Sequence, residues 1–176
     1  MLSNFNQMQL NHYNSKFKAK KFPIILLTDH VVRPADVGGL FRIADAFGVQ
    51  KLILGGTLEL NRKVWNTSRA TEKAIEYEQK EDLGPALEQL RKEGYVLVGL
   101  EITDSSTAIA SIALKKEQKI ALVIGAERHG INEVVLKVLD FCCHVEMYGQ
   151  NSSMNVVQAT SIALYTLTNK LQNVQF

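Results

Sequence analysis

Apolar residues follow two rhythms along this chain. Short, nearly continuous apolar runs of strand length stand at 22–27 (FPIILL), 49–54 (VQKLIL), 95–101 (YVLVGLE) and 120–124 (IALVI). Between them, Leu40, Phe41, Ile43, Ala44 and Phe47, and later Leu83, Ala86, Leu87 and Leu90, recur at helical spacing, with Gly48 and Gly94 placed as left-handed stops. A third helix is predicted around 131–139 on Val134, Val135 and Val138, a fifth strand at 144–147, and a short helix at 106–112. Residues 61–78, around the single Trp65, carry no clear rhythm. Strands that are apolar on both faces need helices above and below, so alternation of such runs with helices predicts an α/β class with a parallel sheet. Pro23 fits the beginning of the first strand. The predicted domain spans 22–171, preceded by an arm at 1–21 and followed by a tail at 172–176. The arm combines Phe5, Tyr13 and Phe17 with Lys16, Lys18, Lys20 and Lys21, a mixture suited either to packing on the domain or to touching nucleic acid.

The most polar transition is MYGQNSSMNVVQAT at 147–160. Asn151, Ser152 and Ser153 are all N-cap types, and Val156, Ala159, Thr160, Ala163, Leu164 and Leu167 follow with helical periodicity, which predicts a helix starting near Met154. The first turn of such a helix presents free N–H groups and a partial positive charge. A simple capped helix accounts for the stretch by itself.

Composition narrows the classes. With 176 residues, 46% of them hydrophobic, one core suffices. A net charge of +2 without a long basic run permits a nucleic-acid partner without requiring one. Cys142 and Cys143 are adjacent, so they can neither staple a secreted fold nor supply spaced metal ligands. The first residues lack the charged start and apolar core of a signal peptide, and no run approaches the ~18 apolar residues of a membrane span, so a soluble, cytoplasmic protein is expected.

In a parallel α/β sheet, ligands bind beyond the carboxyl ends of the strands, where the loops at 28–39, 100–104, 125–130 and 147–153 gather. GAERHG at 125–130 has the outer glycines of a phosphate loop, but Ile131 and Asn132 stand where lysine and serine or threonine are needed. No G-x-G-x-x-G follows the first strand, no G-x-S-x-G surrounds Ser153, and His129 and His144 have no metal-ligand spacing. His144 reads as a satisfied strand residue, and no metal is expected. What remains is Gly38, Gly39 and Arg42 after the first strand, Gly125, Glu127 and Gly130 after the fourth, and Ser153 and Asn155 after the fifth. Glycines there let a ligand approach main chain, and a guanidinium such as that of Arg42 matches phosphate oxygens.

Three of these segments carry a family resemblance. PADVGGLFRIADAFG at 34–48, LVIGAERHGI at 122–131 and VEMYGQNSSMNVVQA at 145–159 resemble the three ordered motifs of the SpoU-type (TrmH-like) RNA ribose 2′-O-methyltransferases. TSRATEK at 67–73 also resembles the segment that links the first two motifs in the tRNA-acting branch. The match covers about 22–170.

The resemblance implies a Rossmann-like parallel sheet with a C-terminal trefoil knot, S-adenosyl-L-methionine as methyl donor, RNA as substrate (tRNA ahead of rRNA, no DNA), and a homodimer with sites at the subunit interface. It places Arg42, Glu127, Ser153 and Asn155 in the catalytic set, and Leu100, Gly125, Gly130, Met147 and Met154 around the cofactor. Arg33, Asp36 and Arg69 fall on the RNA side. Arg42, nearly always protonated, is expected to hold an RNA phosphate and stabilise the developing alkoxide, its part as a literal base left open. Glu127 equally suits a helix-dipole partner. The chain departs from the family pattern at Asp36, where asparagine is usual, at Arg33, where an acidic residue is common, and at Ala126, where asparagine is frequent. An active enzyme is expected; a non-catalytic RNA-binding or cofactor-binding member of the same fold is the alternative.

Overall fold

The apolar run that opens at Phe22 becomes a strand because both sets of its alternating side chains find apolar layers. In the computed structural model, which describes residues 18–151 and 153–173, strand β1 (Phe22–Asp29) sends Ile24 and Leu26 into one buried cluster with Leu40, Phe41, Leu52 and Leu122. Its Ile25 and Leu27 enter a second cluster with Leu87, Leu97 and Val123. Strands β2 (Val49–Gly55), β3 (Glu76–Lys80), β4 (Val96–Leu100), β5 (Thr107–Ala108), β6 (Ile120–Gly125) and β7 (Phe141–His144) complete one sheet in the order β3-β2-β1-β6-β4-β7-β5. Every pairing is parallel.

Helices α1 (Pro34–Ala46) and α5 (Val156–Asn173) fill the first cluster through Val37, Leu40, Phe41, Ala44, Val156, Ala163, Leu164 and Leu167, joined by Val64 of α2 (Arg62–Ser68). The second is covered by Leu87 and Leu90 of α3 (Gly84–Lys92) and by Val135 of the single-turn α4 (Glu133–Leu136). Among the described residues no helix is long and apolar enough to cross a membrane. Most of the arm assigned to 1–21, and the tail beyond residue 173, lie outside the described residues.

The α/β class agrees with the expectation, and several boundaries differ from it. Seven strands replace five. The extra edge strand β3 is polar, and its Glu76 and Glu78 each lie 3.2 Å from Lys51 on the neighbouring strand, so charge rather than apolar alternation marks it. Helix α1 begins at Pro34, not near Leu40, since proline at the first position and Asp36 in the first turn suit a helix start. The expected helix at 106–112 is instead the two-residue β5 followed by a 3₁₀ turn at Ile109–Ser111. Strand β7 lies at Phe141–His144, three residues before the expected 144–147, because Phe141 to Cys143 pair with Val98 to Leu100 of β4. That shift leaves Val145 to Met147 beyond the C-terminal end of the strand. Finally, α5 starts at Val156 with Asn155 supplying the cap, rather than near Met154.

Gly38 and Gly39 serve helix packing rather than the approach of a ligand. A Cβ on Gly38 would stand 1.9 Å from Thr67 Oγ1, whose hydroxyl is also 3.1 Å from the Pro34 carbonyl, and one on Gly39 would stand 2.9 Å from Val157 Cγ2. The first glycine seats α2, the second α5, against α1.

Gly38→Ala is expected to lower stability by about 1–3 kcal/mol, the usual cost of overpacking, measured by urea denaturation. Burial, then the neighbouring Cys142, pushes the Cys143 thiol up to about 12. Cys143 is therefore a protonated thiol at pH 8, and iodoacetamide is expected to leave it unmodified in native protein and to alkylate it in urea, as read by peptide mass spectrometry.

Candidate active site

Parallel pairing brings the ends of β1, β6 and β4 to one level, with Asp29 beside Gly125 and Leu100 beside Ile124. Two carboxylates at these ends hold the loop after β6. The buried Asp29 has Oδ1 2.6 Å from His30 Nδ1 and accepts the Asn132 N–H at 2.7 Å through Oδ2. Glu101, the residue after β4, accepts the Ile102 N–H at 3.1 Å through Oε1 and the Ile131 N–H at 3.0 Å through Oε2.

The loop itself is tight. The Gly130 N–H donates to the Ala126 carbonyl at 2.8 Å, and Gly130 has φ +63°, in the left-handed region that favours glycine. A Cβ on Gly130 would sit 2.4 Å from Glu101 Oε2, and one on Gly125 would sit 2.0 Å from the Gly130 carbonyl carbon. Both glycines are needed for close approach of backbone and carboxylate.

Below this loop lies a cavity of about 640 Å³. Its apolar walls come from Leu100, Ile131, Leu136, Val145, Met147 and Met154, while Gly125, Gly130 and Ser153 contribute main chain and a hydroxyl-bearing residue. All five residues expected around a cofactor (Leu100, Gly125, Gly130, Met147 and Met154) therefore line one cavity, together with Glu127 and Ser153 from the expected catalytic set. The volume, and apolar walls set beside polar groups such as Glu101, His144 and Ser153, fit a nucleoside-sized ligand.

Asn155 organises the polar rim. Its Oδ1 accepts the Val157 N–H at 3.0 Å and the Gln158 N–H at 3.4 Å, capping α5. That bond orients Nδ2, which donates to Asp36 Oδ1 at 3.0 Å and Glu127 Oε1 at 2.6 Å. Arg33 completes the group, hydrogen-bonded to Glu127 Oε2 and 3.5 Å from Asp36 Oδ2. Residues from three separated motifs thus meet in one network of two carboxylates, one amide and one guanidinium. Asp36 is buried, and its Oδ2 has no hydrogen-bond partner, whereas the Arg33 side chain is 65% exposed.

Two expected residues stand apart. Arg42 is exposed on α1, outside the cavity lining, and no hydrogen bond or ion pair engages its guanidinium within the described residues. Arg69 is exposed at the end of α2 in a left-handed conformation, φ 53°, ψ 44°. His144, read as an ordinary strand residue, lines the cavity with Nδ1 2.9 Å from the Ser106 hydroxyl. Glu101 and Asp29 belong to no motif, and their only mark in the sequence is a single acidic residue ending an apolar strand.

The family model described as the SpoU rRNA Methylase family matches residues 23–165. Among curated proteins, the chain is 26% identical over 164 residues to the tRNA (guanosine(18)-2′-O)-methyltransferase of Saccharomyces cerevisiae, covering 92% of this chain and 11% of that protein. It is 28% identical over 145 residues to the 23S rRNA (guanosine(2553)-2′-O)-methyltransferase RlmP of Bacillus subtilis, covering 81% of this chain and 57% of that one. The chain thus spans well under two thirds of the length of these relatives. Among solved structures, the A. aeolicus TrmH/SpoU tRNA modifying enzyme superposes with a TM-score of 0.77 at 22% identity, over 88% of this chain and 78% of that one. The SpoU methyltransferase AviRb from Streptomyces viridochromogenes, in complex with AdoMet, gives 0.77 at 22% identity, over 90% and 61%. At these identities the superpositions establish a common fold.

Asn155→Ala removes the cap and both donor bonds, and is expected to destabilise the chain by about 1–3 kcal/mol in urea denaturation at pH 7. Asn155→Asp keeps an oxygen able to cap α5 but sets three carboxylates together. It is expected to be at least as destabilising as Asn155→Ala at low salt and to recover part of the loss in ~1 M salt, a recovery that Asn155→Ala should lack.

Proposed function

The chain belongs to the SpoU rRNA methylase family, and from that premise we propose that it transfers a methyl group from S-adenosyl-L-methionine to a ribose 2′-hydroxyl of RNA, with tRNA the favoured substrate and rRNA the second. The observation that carries this reading is the convergence of three separated segments on one cavity, whose rim is the network of Arg33, Asp36, Glu127 and Asn155. The cofactor, when bound, supplies an electrophilic methyl group on a sulfonium, so the protein's contribution is positioning and proton management. In this proposal Leu100, Gly125, Gly130, Met147 and Met154 hold it, largely by main chain and apolar surface.

At the rim, Glu127 and Asn155 frame the site where ribose meets the cavity, with Ser153 beside them on the lining. Asp36 acts from behind: its bond to Asn155 and its proximity to Arg33 orient both, and the exposed Arg33 is the member of the pair that meets RNA. Arg69, exposed nearby on the α2 end that packs against α1, extends the RNA-facing surface.

Arg42 lies outside its own cavity, so we assign it to the cavity of a second copy in a homodimer, where it holds a phosphate and stabilises the developing alkoxide. The exposed apolar Ile162 and Tyr165 on α5, the latter packed edge-on against Phe47 at 6.5 Å, support such an interface. The trefoil knot is supported by strand order: β4 and β5, consecutive in sequence, flank β7, so the connection at 101–106 spans the end of the strand from which the chain runs on into α5.

Purified protein is expected to transfer labelled methyl groups from S-adenosylmethionine to total RNA, with the label recovered as a 2′-O-methylnucleoside after digestion. Arg42→Ala should lower kcat by about 100-fold or more while leaving the dissociation constant for S-adenosylhomocysteine nearly unchanged, as measured by calorimetry. Cofactor binding without transfer to any RNA would instead identify a non-catalytic member of the fold.

A further inference from the structure

Glu101, whose carboxylate anchors the segment after β6, also faces the cavity. It follows β4 at the level where Leu100 pairs with Ile124 of β6, and it lines the cavity beside Leu100, Gly130 and Ile131. Its two oxygens are held in place by the N–H groups of Ile102 and Ile131. Each of those oxygens accepts one hydrogen bond and keeps a second lone pair. Among the described residues no Lys, Arg or His forms an ion pair with it, whereas Glu127, the rim carboxylate, is already occupied by Arg33 and Asn155. Gly130 keeps the approach open, since any side chain there would run into Oε2.

A fixed carboxylate with spare acceptor sites and no cation calls for neutral donors. Two adjacent hydroxyl groups supply two O–H donors at a spacing that one carboxylate can accept together, the same chemistry by which an acidic residue beyond a parallel strand reads a ribose in dinucleotide-binding folds. We propose that Glu101 is the acceptor for the ribose 2′,3′-diol of the adenosyl ligand, so that recognition in this chain includes a side-chain carboxylate as well as main chain. This rests on the methyltransferase reading for the identity of the ligand. The second cavity-facing role a carboxylate can take, pairing with the sulfonium, belongs to the rim, because the methyl group must be presented where Glu127 and Asn155 meet the ribose of RNA.

Calorimetry on the full chain separates these possibilities, using S-adenosylhomocysteine, its 2′-deoxy and 3′-deoxy analogues and S-adenosylmethionine. For wild type, loss of either hydroxyl is expected to weaken binding by about tenfold or more, the cost of losing a hydrogen bond to a charged acceptor. In Glu101→Gln the parent compound should bind more weakly, and the penalty for each deoxy analogue should shrink to about twofold or less, the non-additivity expected of groups in contact. A purely structural role would weaken all three compounds equally and leave the deoxy penalty intact, which overturns the proposal. Equal binding of parent and deoxy analogues by wild type also overturns it, even where Glu101→Gln does not fold. Selective loss of S-adenosylmethionine relative to S-adenosylhomocysteine in Glu101→Gln would assign the carboxylate to the sulfonium and likewise overturn it. If wild type binds none of these compounds, the methyltransferase reading itself fails, and this inference with it.

Discussion

The structure depends on the parallel registration of β1, β6 and β4. Because Asp29 stands beside Gly125 and Leu100 beside Ile124, three strands stop together, and three loops are released on the same side of the sheet. Parallel strands require that both faces be covered, which explains the two apolar clusters and the helices that close them. The cavity is the space left above the strand ends between the loops after β6 and β4 and the segment that follows β7. A shift of one residue in that register would exchange Ile24 and Leu26 with Ile25 and Leu27 between layers and would also move the two anchoring carboxylates out of reach of the β6 loop.

Those carboxylates divide the work with glycine. Asp29 and Glu101 each accept a main-chain N–H from the segment after the β6 loop, at Asn132 and Ile131. Gly125 and Gly130 allow the backbone to come close enough for this to happen. The loop is thereby held rigid without any side chain entering the cavity from those two positions, a suitable wall for a ligand recognised through main chain.

Asn155 links stability to chemistry. Its oxygen caps α5 and its nitrogen is consequently directed at Asp36 and Glu127, so the start of the last helix and the geometry of the rim are one event. Arg33 and Asp36 lie 3.5 Å apart. The Arg33 guanidinium offsets part of the charge that Asp36 brings beneath Asn155.

The sequence by itself determined the α/β class, the parallel sheet and the order of the polar loops, because continuous apolar runs such as 22–27 and 120–124 are stable only between two covering layers. The family resemblance grouped Leu100, Gly125, Gly130, Met147 and Met154, and the fold places them on one lining. Local pattern failed where stability is not local. The polar strand β3 is held by its backbone pairing with β2 and by Tyr77 packing on Phe41 and Trp65, and the register of β7 by its pairing with β4. The start of α1 is set by Pro34, which opens a helix only because the next turns pack against α2 and α5. Only tertiary structure decided that Gly38 and Gly39 separate helices rather than receive a ligand, and that Glu101 reaches the cavity. Those assignments rest on which distant residue lies within a few ångströms, on Thr67, Val157 and Ile131, and no spacing along the chain encodes such a distance.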